Sequence, residues 1–150
     1  MSTDMTPDNG DDMLRQVGIK IWVDGSPWIG NIDLSFPYLD TDATRIIGVP
    51  PGSCGQANYT REQLAEIVGA HFPRGWPMAC HVQGDAGVDT ILDVYEEALR
   101  RWPRDNHRLR LEHGSRRTGD VSGGSTGLRL RYLKSQRPHR APSATAGPDT

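Results

Sequence analysis

The chain has 150 residues, 17 Lys and Arg against 19 Asp and Glu, and a net charge of −2. That is room for one modest core, and so near-neutral a balance gives no basis for binding nucleic acid or an anionic membrane surface. No apolar run approaches the roughly 20 residues of a membrane span, so a soluble, cytoplasmic chain is the expectation.

Residues 1–13 are aspartate-rich and almost without apolar side chains, which predicts a disordered N-terminal segment. From 17 to 23 the run VGIKIWV alternates Ile19, Ile21 and Val23 with Lys20 and Trp22, the period of a strand. Residues 25–59 are dense in Gly, Pro, Asp and Asn and read as a long loop. Thr60 opens a capping box with Gln63, and the stripe Leu64, Ile67, Val68 predicts a helix to about His71. Pro73, Gly75 and Pro77 break it. A short strand candidate follows at 77–82 (PMACHV). Asp85 is a fair N-cap for a second helix, whose stripe is Val88, Ile91, Leu92, Tyr95 and Leu99, ending near Trp102. A third strand, RLRLE, occupies 108–112.

Strand, loop, helix, strand, helix, strand is an α/β order and favours a parallel sheet with crossover helices. Beyond residue 113 the character changes: seven basic residues stand against two acidic ones, where the preceding 113 hold ten and 17. With its Gly, Ser, Pro and Thr content, this basic segment is expected to be disordered, and an arm for acidic partners is the alternative reading. Cys54, in a Pro/Gly-rich stretch, and Cys80, in an apolar run, read as ordinary thiols.

Chemistry gathers at the strand ends. Lys20 lies in the first strand, His81 near the end of the second, and His113 just past the third. The 32 residues from His81 to His113 fit one βα repeat of a barrel whose eight units share roughly 250 residues. Side chains from successive parallel strands then converge at one rim, where such barrels place their catalytic groups. Taken singly, each His reads more readily as a hydrogen-bonded structural residue, and Lys20 as a side chain reaching solvent. One tension stands in the third strand. With Leu109, Leu111 and His113 on one face, Arg110 and Glu112 occupy the other, which should be apolar if helices cover it.

Three segments, GIKIWVDGS (18–26), CHVQGDAGVDTILDVYEEAL (80–99) and HRLRLEHGS (107–115), together resemble successive blocks of the amidohydrolase 3 family of YtcJ-like metal-dependent hydrolases. The resemblance covers about residues 14–115. It implies a partial (β/α)₈ TIM barrel of about three parallel strands, with 116–150 as a basic low-complexity tail. It also implies that Lys20 is a carbamylated, metal-bridging lysine and that His81 and His113 are ligands of a divalent metal, zinc in the first place. Asp24, Ser26, Asp85 and Glu112 become substrate-contacting or ligand-supporting residues, with the helix-cap role equally open for Asp85. Trp28, Phe36 and Tyr38 shape the pocket or simply pack. The substrate is a small amide-type molecule, and the reaction is hydrolysis of a non-peptide carbon–nitrogen bond.

The chain departs from the family pattern in two places. It contains no His-x-His, the family's first metal motif, and the basic segment follows His113 where a later catalytic aspartate is expected. The expectation is therefore an incomplete centre, associating with other chains to cover open sheet edges. The alternative is a catalytically silent remnant with weak metal or protein binding.

Overall fold

The computed structural model describes residues 6–113; the expectations for residues 1–5 and for the basic segment from 114 onward lie outside them. Three parallel strands, β1 (Ile19–Trp22), β2 (Met78–Val82) and β3 (Leu109–His113), form one sheet in the order β1-β2-β3. Helix α1 (Asp42–Ile46) lies in the long β1–β2 connection, α2 (Arg61–His71) closes that connection, and α3 (Asp85–Arg101) joins β2 to β3. The α/β architecture read from the alternation is the one observed.

The register explains which residues meet. Lys20 pairs with Ala79 and Ala79 with Arg110; Trp22 pairs with His81 and His81 with Glu112. Paired residues in a sheet share a face. Ile21, Val23, Met78, Cys80, Val82, Leu109 and Leu111 therefore form the opposite face, and they pack against Leu64, Val68 and Phe72 of the α2 region and Val88, Ile91, Leu92 and Tyr95 of α3. Fully burying each large aliphatic side chain contributes about 1.5–3 kcal/mol, so this one-sided core is the main source of stability. The tension in β3 disappears here. Both helices cover the Leu109/Leu111 face, so Arg110 and Glu112 stand on the uncovered face with Lys20 and His81.

Local signals place the helices. Thr60 Oγ1 accepts from Gln63 N–H at 3.3 Å while Gln63 Oε1 accepts from Thr60 N–H at 2.9 Å, the reciprocal cap anticipated from the sequence. At α3 the expectation needs correction: Gly84 is the N-cap and Asp85 the first helical residue. An aspartate there still suits the positive end of the helix dipole, but its carboxylate turns sideways to Ser35. The connection at 25–59 is also more structured than a plain loop. It holds a 3₁₀ turn at Pro27–Ile29 and α1, whose N-cap Thr41 exchanges hydrogen bonds with Thr44. Residues 6–16 make a tight turn in which Asp8 N–H donates to Gln16 O at 2.8 Å and Gln16 N–H to Asn9 O at 2.9 Å. Among the described residues no helix is long and apolar enough to cross a membrane.

Candidate metal centre

The carboxyl ends of β1 and β2 are bound together by one buried carboxylate. Asp24, two residues past β1 and fully buried, accepts from Gln83 N–H at 2.9 Å, Gly84 N–H at 2.7 Å and Asp33 N–H at 3.2 Å. Each charged acceptor bond of this kind is stronger than a neutral one, and three of them compensate the desolvation of the group. The approach is too close for side chains: a Cβ on Gly84 would lie 1.9 Å from Asp33 O, and one on Gly25 would lie 2.0 Å from Asn31 Oδ1.

His81 stands at the centre of the uncovered face, 6% exposed. Its Nε2 lies 2.9 Å from Gly25 O. A carbonyl oxygen only accepts, so Nε2 carries the proton and the lone pair of the neutral ring is on Nδ1. Trp22, two residues beyond Lys20 on the same face, stacks on the imidazole at 4.3 Å with an interplanar angle of 17°. The His113 ring meets the same imidazole edge-on at 4.6 Å. Strict alternation would send His113 to the helix-covered face with Leu109 and Leu111. Its left-handed backbone, φ 77°, ends the alternation, a conformation that costs a residue with a Cβ about 1–2 kcal/mol.

Lys20 forms an ion pair with Glu112 across the sheet, and Arg110 lies 3.7 Å from the second Glu112 oxygen. The Lys20 ammonium holds the Glu112 carboxyl below the ordinary glutamate range. Of the residues singled out in the sequence, the fold thus brings His81 to His113 and Lys20 to Glu112. The others support the frame rather than open to it. Asp24 is sealed by backbone donors, and Asp85 binds Ser35 through both the backbone N–H, at 2.9 Å, and the hydroxyl. Ser26 caps the 3₁₀ turn by accepting from Trp28 N–H at 3.3 Å. The Tyr38 hydroxyl accepts from Ile32 N–H at 3.1 Å, within the long connection.

Two contributors escaped sequence reading. Trp22 could have been found, because strand alternation puts it beside Lys20. Asp33 could not: partial burial, with Asp24 and Asp85 nearby, raises its carboxyl pKa, and only the folded loop creates that neighbourhood. Among the described residues no three His, Cys, Asp or Glu side chains group to hold an ion. The donor set does suit one in part, since two adjacent imidazoles are ordinary ligands for zinc and related borderline cations. A lysine ammonium has no lone pair for such a set, whereas a lysine carbamate is an anionic two-oxygen ligand.

Residues 2–120 match the Amidohydrolase family. The chain is 29% identical over 96 residues to the protein LONG AFTER FAR-RED 3 of Arabidopsis thaliana, an alignment covering 64% of this chain and 15% of that protein. Among solved structures it is similar to an uncharacterised metal-dependent hydrolase from Pyrococcus furiosus, with TM-score 0.50 and 30% identity over 62% of this chain and 18% of the other. It is also similar to an uncharacterised metal-dependent hydrolase from Pyrococcus horikoshii, with TM-score 0.53 and 28% identity over 71% of this chain and 23% of the other. The chain thus spans less than a quarter of the length of each of these relatives. With the match extending over residues 2–120, the chain belongs to the amidohydrolase family.

Proposed function

We propose that this chain supplies the central part of a metal centre in a YtcJ-like hydrolase of small amides, with Lys20, His81 and His113 as the ligands it contributes. The substrates of this reading are non-peptide carbon–nitrogen bonds in linear or cyclic amides, the metal is zinc, and the scaffold is part of a (β/α)₈ barrel. The two free thiols, Cys54 and Cys80, suit a reducing cytoplasm. The observation that carries the reading is the oriented pair of imidazoles: His81, with its lone pair on Nδ1, beside His113 at 4.6 Å on the polar face of a parallel sheet.

A bound divalent ion would supply Lewis acidity for activating water and polarising a carbonyl. The residues do the rest. Trp22 fixes the plane of His81, Gly25 fixes its tautomer, and Glu112 holds the Lys20 ammonium, before any modification, on the same face. Further ligands and the covering of the open face come, in this reading, from polypeptide outside residues 6–113 or from a partner chain. The test is zinc content of the full chain after equilibration and desalting, compared with the His81→Ala, His113→Ala double variant. Bound zinc in the parent and its loss in the variant support the assignment; equal zinc in both removes it.

One observation favours a second reading, a catalytically silent chain. Lys20 is paired as an ammonium with Glu112, and an ammonium has no lone pair to give a metal. Incubation with ¹³C-labelled bicarbonate separates the two: a carbamate carbon signal that disappears in Lys20→Arg supports the hydrolase reading, and no such signal with or without zinc supports the silent one.

A further inference from the structure

We infer that Asp24 is a positioning residue for His81, acting through the Gly25 carbonyl to fix which ring nitrogen offers its lone pair; the inference rests on the ligand role proposed for His81.

The geometry is a short relay. Asp24 closes onto the β2–α3 turn through Gln83 N–H and Gly84 N–H, and onto the incoming loop through Asp33 N–H. Its own carbonyl accepts from Asn58 Nδ2 at 3.2 Å, and Gly25 N–H donates to Asn31 O at 3.1 Å. The peptide between Asp24 and Gly25 is therefore held from several directions; the next peptide, which carries the Gly25 carbonyl, is held at Ser26 N–H by Asn31 Oδ1 at 2.7 Å, and that carbonyl faces β2. There it accepts from His81 Nε2 at 2.9 Å and from Gln83 Nε2 at 3.4 Å. A rigid acceptor at that place selects the Nε2–H tautomer. A carbonyl free to swing away would let the ring exchange its proton to Nδ1, and the lone pair would move from the side opposite Gly25 to the side facing it.

Asp24 is suited to the task by being acceptor-only. An asparagine of the same shape would present one oxygen and one NH₂ group. With its oxygen at the Oδ2 place the asparagine still accepts from all three donors, but the NH₂ then stands 2.9 Å from Gln83 N–H, donor against donor, and the shorter of the two Gln83 contacts is lost. The loss would fall on the tie between Gln83 and the residue that precedes Gly25, leaving the core formed by α2 and α3 in place.

The test uses the full chain with ¹⁵N-labelled histidine and reads the ring nitrogens by long-range proton–nitrogen correlation at a pH where His81 is neutral, with assignment by His81→Gln. The parent is expected to show a protonated Nε2 and a bare Nδ1. In Asp24→Asn the two signals should move toward each other as the tautomers mix, and zinc affinity should fall by about 10–100-fold. Asp85→Asn is the control, because it loosens the same loop at Ser35 without touching Gly25; its His81 signals should stay at the parent positions. A parent ring protonated on Nδ1 overturns the inference even if Asp24→Asn fails to fold. So does an Asp24→Asn spectrum identical to the parent, or an Asp85→Asn spectrum shifted as far. The tautomer reading needs no metal. Absence of zinc binding in the parent therefore strikes the ligand assignment alone, and the ring signals still decide the role of Asp24.

Discussion

Lys20 on β1 reaches across the central strand to the Glu112 carboxylate on β3, on the face where Ala79 offers only a methyl group. The two outer strands are thereby joined over the middle one. Both side chains are more than a third exposed, which limits the contribution of the pair to under about 1 kcal/mol. Because the Lys20 charge lowers the Glu112 pKa in the folded state, this stability is present above the usual value of 4.5 and is lost as pH falls through the depressed folded value. Glu112→Gln should therefore lower the urea midpoint slightly at pH 7 and converge with the parent in acid. High salt should narrow the difference at pH 7. A variant that matches the parent at pH 7 in low salt would mean the pair contributes nothing.

Asp33 has the opposite sign. Partial burial first, then the Asp24 and Asp85 charges, raise its carboxyl pKa above the ordinary 3.8. A group raised in the fold favours the folded state below its unfolded pKa, and that advantage is lost as pH rises through the folded value. At neutral pH the Asp33 charge is thus a penalty. Its structural hydrogen bonds are made by the backbone: its N–H donates to Asp24, and its carbonyl accepts from Gly87 N–H at 3.3 Å. Asp33→Asn keeps both, so its thermal midpoint should exceed the parent's at pH 7 and meet it near pH 3. A lower midpoint at pH 7 would refute this account.

These two carboxylates also mark how far the sequence could be read. The strands, the Thr60 cap and the apolar stripes of α2 and α3 were legible because they depend on neighbours two to four residues away. Lys20, His81 and His113 were legible as strand-end positions, and their side of the sheet follows from alternation except at His113. There a left-handed backbone, invisible in a one-residue pattern, returns the ring to His81. Asp24 and Asp85 stood out as polar residues at the rim, but their use as internal fasteners depends on partners 50 to 60 positions away. Contacts of that range are set by how the long connection folds back, and no local periodicity encodes them.

The tightness of that fold-back can be measured at Gly84. Its backbone is extended, with φ −72°, so an alanine would be free of conformational strain there. The obstacle is space, since the new Cβ would sit 1.9 Å from the Asp33 carbonyl oxygen, a backbone atom that cannot rotate away. Gly84→Ala should cost about 1–3 kcal/mol by overpacking, at the upper end because both elements are tied to Asp24. Gly48→Ala is the contrast, with φ 78° and nothing within 4 Å of the added Cβ, so its cost is the left-handed penalty of about 1 kcal/mol. Chemical denaturation of the two variants compares them; equal losses would show that the rim has room to relax.

The last prediction concerns the core beneath the candidate centre. Cys80 is fully buried on the helix-covered face, its Sγ 2.9 Å from the Tyr95 hydroxyl. Burial pushes the thiol up to about 11, against a smaller opposing effect of the Tyr95 hydrogen bond. At neutral pH only about one molecule in 10⁴ would carry the thiolate, the form that reacts with alkylating agents. Cys54 lies in the partly exposed connection. Iodoacetamide at pH 7 should therefore modify Cys54 and spare Cys80, with mass spectrometry locating the adduct. Labelling of Cys80 should appear only under denaturant, and its midpoint should coincide with loss of helical circular dichroism, because β2 cannot release the thiol without parting from α3. Tyr95→Phe should lower the unfolding free energy by about 0.5–1.5 kcal/mol, the worth of one buried hydrogen bond, and so move that shared midpoint down, with the thiol still protected before unfolding. Fast labelling of Cys80 in the native chain would mean that α3 opens from the sheet on its own, and the one-sided core would then be too weak to hold the face that carries His81.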